Sequence, residues 1–404
     1  MGQITNKMSQ TWCVNAYHSL QASNNGETRA CCMYRRQAPL KEKLGDLSIS
    51  DCFQQPDLIQ LRKDIEDGVR NPGCTRCWQE EDGGKESKRT RDNEKYHNMI
   101  VSGGVPYKGI SYLELNLGNE CNLRCRTCGP HSSSQWVKEA YDIQYFKVID
   151  KKSYGEEVKQ FHKTYAEDSS FWPDFEKHLP TIRQLDFYGG EPFMSKKMWH
   201  VLRVAVEKGY AKDIELNYAT NGSFWPEEVE IFKHFRRVSV QFSIDGIGKQ
   251  FEFMRYLSDW NVVTENMTRA EEFRDSNPNV FLGWCITLSA LNVYQLPEIL
   301  LEHHRNYSSF GVYLNLVHFP NHFNISIMPE NVKVQVIEKI NSFPSHYQSY
   351  WHKIPGIIGF IEGGEYNETD WNALIDSIRA SDVYRNQDYA EIFPEFANII
   401  GYKK

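Results

Sequence analysis

Polar and apolar residues alternate over Tyr112–Leu117, where Tyr112, Glu114 and Asn116 interleave with Leu113, Leu115 and Leu117. A period of two predicts a strand with one buried face. With five more short apolar segments downstream, the predicted strands are 111–117, 183–188, 213–218, 237–244, 281–289 and 311–317. Between them lie helix-length stretches: Lys196–Lys208 (apolar Met198, Val201, Leu202, Val204 and Ala205), Pro226–Phe235 and Val293–His304. Such alternation predicts βαβ units around a parallel sheet. The fold class is therefore α/β, and the number of units fits a partial (βα)6 TIM-like barrel, about three quarters of the closed form. Segment 132–180 is too long for one crossover and predicts an insertion rich in Tyr, Lys and Glu. After Pro329 the pattern turns helical, over Glu330–Asn341 and Asp370–Ile378. The aromatic tail (Trp371, Tyr384, Tyr389, Phe393, Phe396) reads as helix packing.

The first hundred residues differ: six cysteines, many turn residues and little periodicity. Asn24-Asn25-Gly26 supplies the positive φ angles of a tight hairpin and predicts pairing of Ala16–Leu20 with Thr28–Met33. Lys85–His97 is highly charged and predicts a solvated helix or linker. Three regions follow: a cysteine-rich module with its linker (1–108), the barrel (109–328) and a helical C-terminal extension (329–404).

Charge and composition narrow the classes. Across 404 residues the net charge is −7 and the pI is near 6.0, which argues against non-specific coating of nucleic acid. No run approaches the roughly 18 apolar residues of a membrane helix. Met1–Met8 lacks the apolar core of a secretory signal, and Met1-Gly2 with Thr5 matches a myristoylation site poorly. Ten cysteines without such a signal point to a reducing, cytoplasmic compartment, where cysteine clusters bind metal more often than they pair.

Candidate chemistry gathers at the ends of the predicted strands. Cys121, Cys125 and Cys128, spaced C-x3-C-x2-C, follow the first strand between Gly118 and Gly129-Pro130. Three thiolates on one loop can hold three irons of a [4Fe–4S] cube and leave the fourth open, whereas a structural zinc wants four ligands. Zinc completed by His131 is the alternative at this stage. The second strand ends in Gly189-Gly190-Glu191-Pro192, where exposed carbonyls and a carboxylate can accept from an ammonium group. The third ends in Thr220-Asn221-Gly222 and the fourth in Ser243-Ile244-Asp245-Gly246. In parallel α/β folds, ligands bind at this end of the sheet.

In this order and at these strand ends, the triplet, Gly-Gly-Glu-Pro, Thr-Asn-Gly and Ser-Ile-Asp-Gly resemble the radical S-adenosylmethionine (SAM) superfamily over residues 109–320. The resemblance implies a [4Fe–4S] cluster on Cys121, Cys125 and Cys128 whose open iron chelates SAM. Gly189, Gly190 and Glu191 would hold the methionyl amine. Ser243 would meet the carboxylate or ribose, with Asp245 supporting that strand end. Arg255 would offer a cation to the SAM carboxylate, with a surface salt bridge as its alternative role, and the backbone at Val317-His318 would border the adenine. It also implies an electron donor such as flavodoxin or ferredoxin. Upstream, Cys13, Gly26 and Cys31 (C-x12-G-x4-C) with Cys74-Thr75-Arg76-Cys77 resemble the SPASM/twitch modules of peptide-modifying members, although those modules usually follow the barrel. Likeness to phage-type twitch-domain radical SAM proteins extends over nearly the whole chain. It implies a second, auxiliary iron–sulfur cluster on Cys13, Cys31, Cys74 and Cys77, with a four-thiolate zinc as the alternative, and a peptide or protein substrate. Cys31 and Cys32, read as neighbours on one strand, would point to opposite faces, and the spacing favours Cys31. Cys52 and Cys285 read as packing residues.

Overall fold

The computed structural model describes residues 10–38, 40–82, 86–101, 109–143, 164–167, 170–344, 350 and 352–403. Residues 1–9, Lys85 and much of the expected insertion, 144–163 and 168–169, lie outside the described residues. The six predicted strands are present as β3 (Tyr112–Asn116), β4 (Gln184–Tyr188), β5 (Glu215–Thr220), β6 (Arg237–Ser243), β7 (Val280–Leu288) and β8 (Gly311–Leu316). Two more precede them, β1 (Ser19–Ala22) and β2 (Thr28–Arg29). The chain forms two compact units: 1–119 with 156–218 and 230–238, and 120–155 with 219–229 and 239–404.

In the first unit the strand order is β2-β1-β3-β4-β5. Only β1–β2 is antiparallel; β1–β3, β3–β4 and β4–β5 are parallel. The alternation read at Tyr112–Leu117 repeats on the neighbouring strands and in register. Leu20, Leu113, Leu185 and Leu216 form one row, and Ala22, Leu115, Phe187 and Tyr218 the next on the same face. The opposite face carries Gln21, Glu114, Asp186 and Asn217 in one row and Ser19, Tyr112, Gln184 and Glu215 in another.

Several local expectations change. The hairpin is shorter than predicted, because Asn15–His18 is a helical turn rather than strand. Its backbone is held from elsewhere in the unit: Val14 N donates to Asn93 Oδ1 at 2.8 Å and Arg62 Nε to Ala16 O at 2.8 Å. Cys31 and Cys32 fall in a turn, since β2 ends at Arg29. The charged stretch 85–97 becomes the helix Lys88–Val101, and one side of it is buried. There Lys88 pairs with Asp92 (3.2 Å), Arg89 with Glu81 (2.9 Å), and Lys95 donates to Gln184 (2.8 Å). Charges paired in this way need no solvent to be satisfied.

The second unit has the order β6-β7-β8, with β7–β8 parallel from Gly283↔Gly311 to Leu288↔Leu316. Mostly parallel pairing with intervening helices makes this an α/β fold. Segment 226–235 takes 3-10 turns over Glu227–His234 instead of an α-helix. Its buried residues Val229, Phe232 and Phe235 recur every three positions, the repeat of a 3-10 helix. The C-terminal region is helical: Glu330–Asn341, Ile354–Glu362, Glu368–Arg385, Tyr389–Ile392 and Pro394–Ile399. Its aromatic residues Trp371, Tyr389, Phe393 and Phe396 are buried, and Tyr384 donates to Asp142 at 2.9 Å. No helix among the described residues is long and apolar enough to cross a membrane.

Candidate active site

In the second unit, Cys121, Cys125 and Cys128 pack around Leu123, which has no exposed surface. The loop between them is held by backbone bonds on both sides of Cys125: Arg124 N donates to Tyr256 O (3.0 Å) and Arg126 N to Met254 O (2.8 Å). Trp136 Nε1 donates to the Cys125 carbonyl at 2.8 Å. Cys125 also hydrogen-bonds to Cys128. That bond, with burial, holds the Cys125 thiol up, while the same bond pulls Cys128 down toward thiolate. The His131 ring packs on Gly129, where an added Cβ would stand 3.3 Å from it.

Two polar side chains reach the sulfurs. Arg255 Nη1 lies 3.8 Å from Cys125 Sγ, and its Nη2 pairs with Asp245 at 2.8 Å. Arg255 is therefore no surface residue. Burial pulls its guanidinium down, but Asp245 and the sulfurs of Cys125 and Cys128 more than offset this and hold it protonated. Asp245 accepts from Thr287 N (3.0 Å), and its own carbonyl accepts from Asn292 Nδ2 (2.9 Å), so the β6 end is tied to the β7 end. Asn221 Nδ2 lies 3.8 Å from Cys121 Sγ and donates to Asn122 at 2.8 Å. The sequence placed Asn221 at the end of the third predicted strand without a role; its amide beside a cysteine was not legible there. Cys285, expected in the core, is half-buried within electrostatic reach of Asp245 and Arg255, and burial pushes its thiol up to about 11. Ser243 closes β6 and is half-buried. Val317 N donates to Leu288 O at 3.0 Å, which fixes the backbone at the end of β8.

The donor set fits an iron–sulfur cluster: three clustered thiols on one loop, with a cation and an amide as hydrogen-bond donors to sulfur, a known lever on cluster potential. Among the described residues no three His, Cys, Asp or Glu stand close enough to hold a single metal ion.

In the first unit, Gly189 and Gly190 both have positive φ (+85° and +58°). The crowding at Gly189 comes from this chain: an added Cβ would stand 1.7 Å from Asn116 Oδ1. Glu191 is 2% exposed, and its Oε1 accepts from Phe193 N at 3.2 Å, capping the turn Pro192–Met194.

In the same unit Cys13, Cys31, Cys74 and Cys77 lie within electrostatic reach of one another, although no three of them stand close enough to hold a single metal ion. Burial pushes the thiols of Cys13 and Cys31 up to about 12; Cys74 and Cys77 add to the shift at Cys13, and Cys13 and Cys77 to that at Cys31. Cys74 is raised by burial and then by Cys31 and Cys77. The turn carrying Cys74 is pinned next to Cys31, because Arg35 N donates to Gly73 O (2.9 Å) and an added Cβ on Gly73 would meet the Tyr34 ring at 2.3 Å. Gly26 has φ +82°, and its Cα faces Leu44 O, which would stand 2.5 Å from an added Cβ. Cys32 is exposed but flanked by Glu114 and Lys88, and desolvation holds its thiol up. Cys52 is fully buried.

No family profile matches the chain. It is similar to the GTP 3',8-cyclase of Aliarcobacter butzleri, 21% identical over 202 residues, which are 50% of this chain and 54% of the cyclase. The GTP 3',8-cyclase of Campylobacter lari is 20% identical over 214 residues, 50% of this chain and 58% of that one. The chain spans about half the length of the curated relatives it matches. Among solved structures it aligns with native anSMEcpe with bound AdoMet and Cp18Cys peptide at 14% identity, covering 66% of this chain and 65% of that chain with a TM-score of 0.36. Streptococcus suis SuiB bound to S-adenosylmethionine aligns at 12% identity, covering 65% and 67%, with a TM-score of 0.25. Scores this low carry no argument.

Proposed function

We propose that the chain is a radical SAM enzyme. The observation that carries this reading is the gathering of three thiols of one loop beneath Arg255 and Asn221. The matches to two GTP 3',8-cyclases support the same superfamily. When bound, a [4Fe–4S] cluster on Cys121, Cys125 and Cys128 would supply the electron that splits SAM into methionine and a 5′-deoxyadenosyl radical, which takes a hydrogen atom from the substrate.

The chain's own residues bind and orient. Asp245 fixes Arg255, which donates to the Cys125 sulfur and presents its charge toward the SAM carboxylate. Gly189, Gly190 and Glu191 hold the methionyl amine, and Ser243 meets the carboxylate or ribose. Residues 1–108 form an auxiliary-cluster module on Cys13, Cys31, Cys74 and Cys77, 109–328 the barrel and 329–404 the extension. The module's cysteine pattern and the mutual approach of its thiols support an iron–sulfur cluster there. By the same pattern the substrate is a peptide or protein side chain, with flavodoxin or ferredoxin as electron donor, and ten cysteines suit a reducing cytoplasm.

A small-molecule substrate is the second reading, favoured by the nucleotide-acting names of the matched relatives. Anaerobically reconstituted protein, reduced with dithionite and given SAM, is expected to release 5′-deoxyadenosine. The Cys121/Cys125/Cys128→Ala triple variant is expected to release none. Equal release from the triple variant, or none from loaded wild type, defeats the reading; turnover of GTP would favour the second substrate class.

A further inference from the structure

The C-terminal helix Glu368–Arg385 is built into the loop that carries the three cysteines, and its contacts converge on Cys125. Arg385 Nε donates to both carboxylate oxygens of Glu139, at 2.8 and 3.1 Å, and both side chains are 0% exposed. Glu139 also pairs with Arg124, the residue before Cys125, at 3.2 Å. The Arg385 guanidinium lies against two rings, Trp136 at 4.9 Å and Tyr256 at 4.6 Å. These are two of the residues that hold the cysteine loop: Trp136 through the Cys125 carbonyl, Tyr256 through the Arg124 amide. On the other side of Cys125, Arg126 donates to Asp382 and to Gln387 (2.9 Å) and lies 3.6 Å from the Phe253 ring centroid. Asp382 in turn accepts from Tyr389 N (2.6 Å) and Tyr402 Oη (2.9 Å).

Stability alone does not call for this arrangement. Buried ion pairs lose in desolvation much of what they gain in attraction, and apolar residues of similar size often do as well. Here, moreover, the charges do not close among themselves: Nη1 and Nη2 of Arg385 are buried with no hydrogen-bond partner among the described residues. What they do have is proximity: the guanidinium lies 4.9 Å from the Trp136 ring centroid, and Trp136 Nε1 donates to the Cys125 carbonyl at 2.8 Å. A fixed positive charge in a dry site favours the form of a neighbouring group that carries one more electron.

We infer that Arg385 is a positioning residue of the three-cysteine cluster: from the C-terminal helix it braces the Cys125 loop through Trp136, Tyr256 and Glu139, and its buried charge raises the reduction potential of the cluster bound there. This rests on the radical-cluster reading above.

The test is an anaerobic redox titration of the reconstituted full chain, followed by electron paramagnetic resonance without SAM. The Cys121/Cys125/Cys128→Ala variant identifies any signal of the N-terminal site. Arg385→Gln is expected to lower the midpoint potential of the radical cluster by at least a tenfold change in the reduction equilibrium, 59 mV for one electron. Arg385→Lys, which keeps the charge, should recover most of that shift. Glu139→Gln, which removes the counter-charge, should move the potential upward, and it supplies the reading if Arg385→Gln does not fold. Potentials equal to wild type in these variants, with only thermal stability reduced, would make Arg385 a packing residue and overturn the inference. A wild type with no reducible cluster at the three cysteines would instead refute the radical-cluster reading, and the inference would fall with it.

Discussion

At the scale of single residues, Glu191 can be tested for two roles, a cap and a ligand for the SAM ammonium. Its carboxylate caps Phe193 N, as an acidic residue ahead of a turn should. Glutamine can make that same backbone bond, so Glu191→Gln separates capping from charge. If Glu191 also receives the SAM ammonium, losing a charge-assisted bond removes about 1.5–3 kcal/mol. Affinity should then weaken by roughly ten- to a hundredfold, with the melting temperature close to wild type. Calorimetric titration of SAM into the reduced, cluster-loaded variant measures this, and an unchanged dissociation constant would leave Glu191 a cap alone. Gly189, read from sequence, is a place for ligand approach, and in the structure the absent Cβ also makes room for Asn116, so Gly189→Ala would strain the turn whether or not a ligand is bound.

At the scale of elements, the polar face of β1-β3-β4-β5 is the least ordinary feature of the first unit. Asp186 accepts from Tyr112 (2.7 Å), Gln184 (2.7 Å) and Asn217 (2.6 Å), which satisfies a buried carboxylate on three sides. Glu114 next to it is less well provided, and burial raises it to about 6. His18, at the entrance to β1, is buried between Ser111 (2.9 Å) and the Tyr96 ring (4.5 Å). Burial pulls its imidazole from 6.5 down to about 4, despite the attraction of Asp92. The unfolded chain therefore takes up a proton near pH 6.5 that the folded chain refuses until about pH 4. The stability contributed by neutral His18 is complete above pH 6.5 and is lost as the pH falls toward 4. At about 1.4 kcal/mol per pH unit, this loss is on the order of 3 kcal/mol. His18→Phe keeps the ring contacts and cannot protonate, so its melting temperature should fall less steeply than wild type across that window. Equal slopes in thermal melts from pH 7 to pH 4 would remove His18 from the account.

At the scale of the whole molecule, the two cysteine groups belong to different compact units, so their metals should be separable. Iron and sulfide analysis of the reconstituted chain is expected to find about eight irons if both groups hold [4Fe–4S] cubes, and about four after Cys121, Cys125 and Cys128 are replaced by Ala. About four irons with one zinc in the wild type would replace the auxiliary cluster by a structural zinc. Much of this was legible in the chain itself. Six strands fall where the alternation at Tyr112–Leu117 and the short apolar segments downstream put them, and the cysteine triplet declares a shared loop, because these signals are local and need only neighbours in sequence. Other features were not legible. The parallel pairing of Ser19–Ala22 with Tyr112–Leu115 spans the whole cysteine-rich region, and a four-residue segment does not name its partner strand. Lys88 and Asp92 look the same in sequence whether solvated or buried, and only packing against Tyr112 and Asn15 decides it. Asn221 meets Cys121 across 100 positions, and Arg385 meets Glu139 across 246. The covalent chain set the positions of the six strands β3–β8 and which thiols share a loop, since short-range patterning and spacing need only neighbours in sequence, but not the local form of Asn15–His18 or 226–235. The tertiary structure alone decided which charges stand next to those thiols, because the partner of a buried ion is chosen by the packing that excludes water around it.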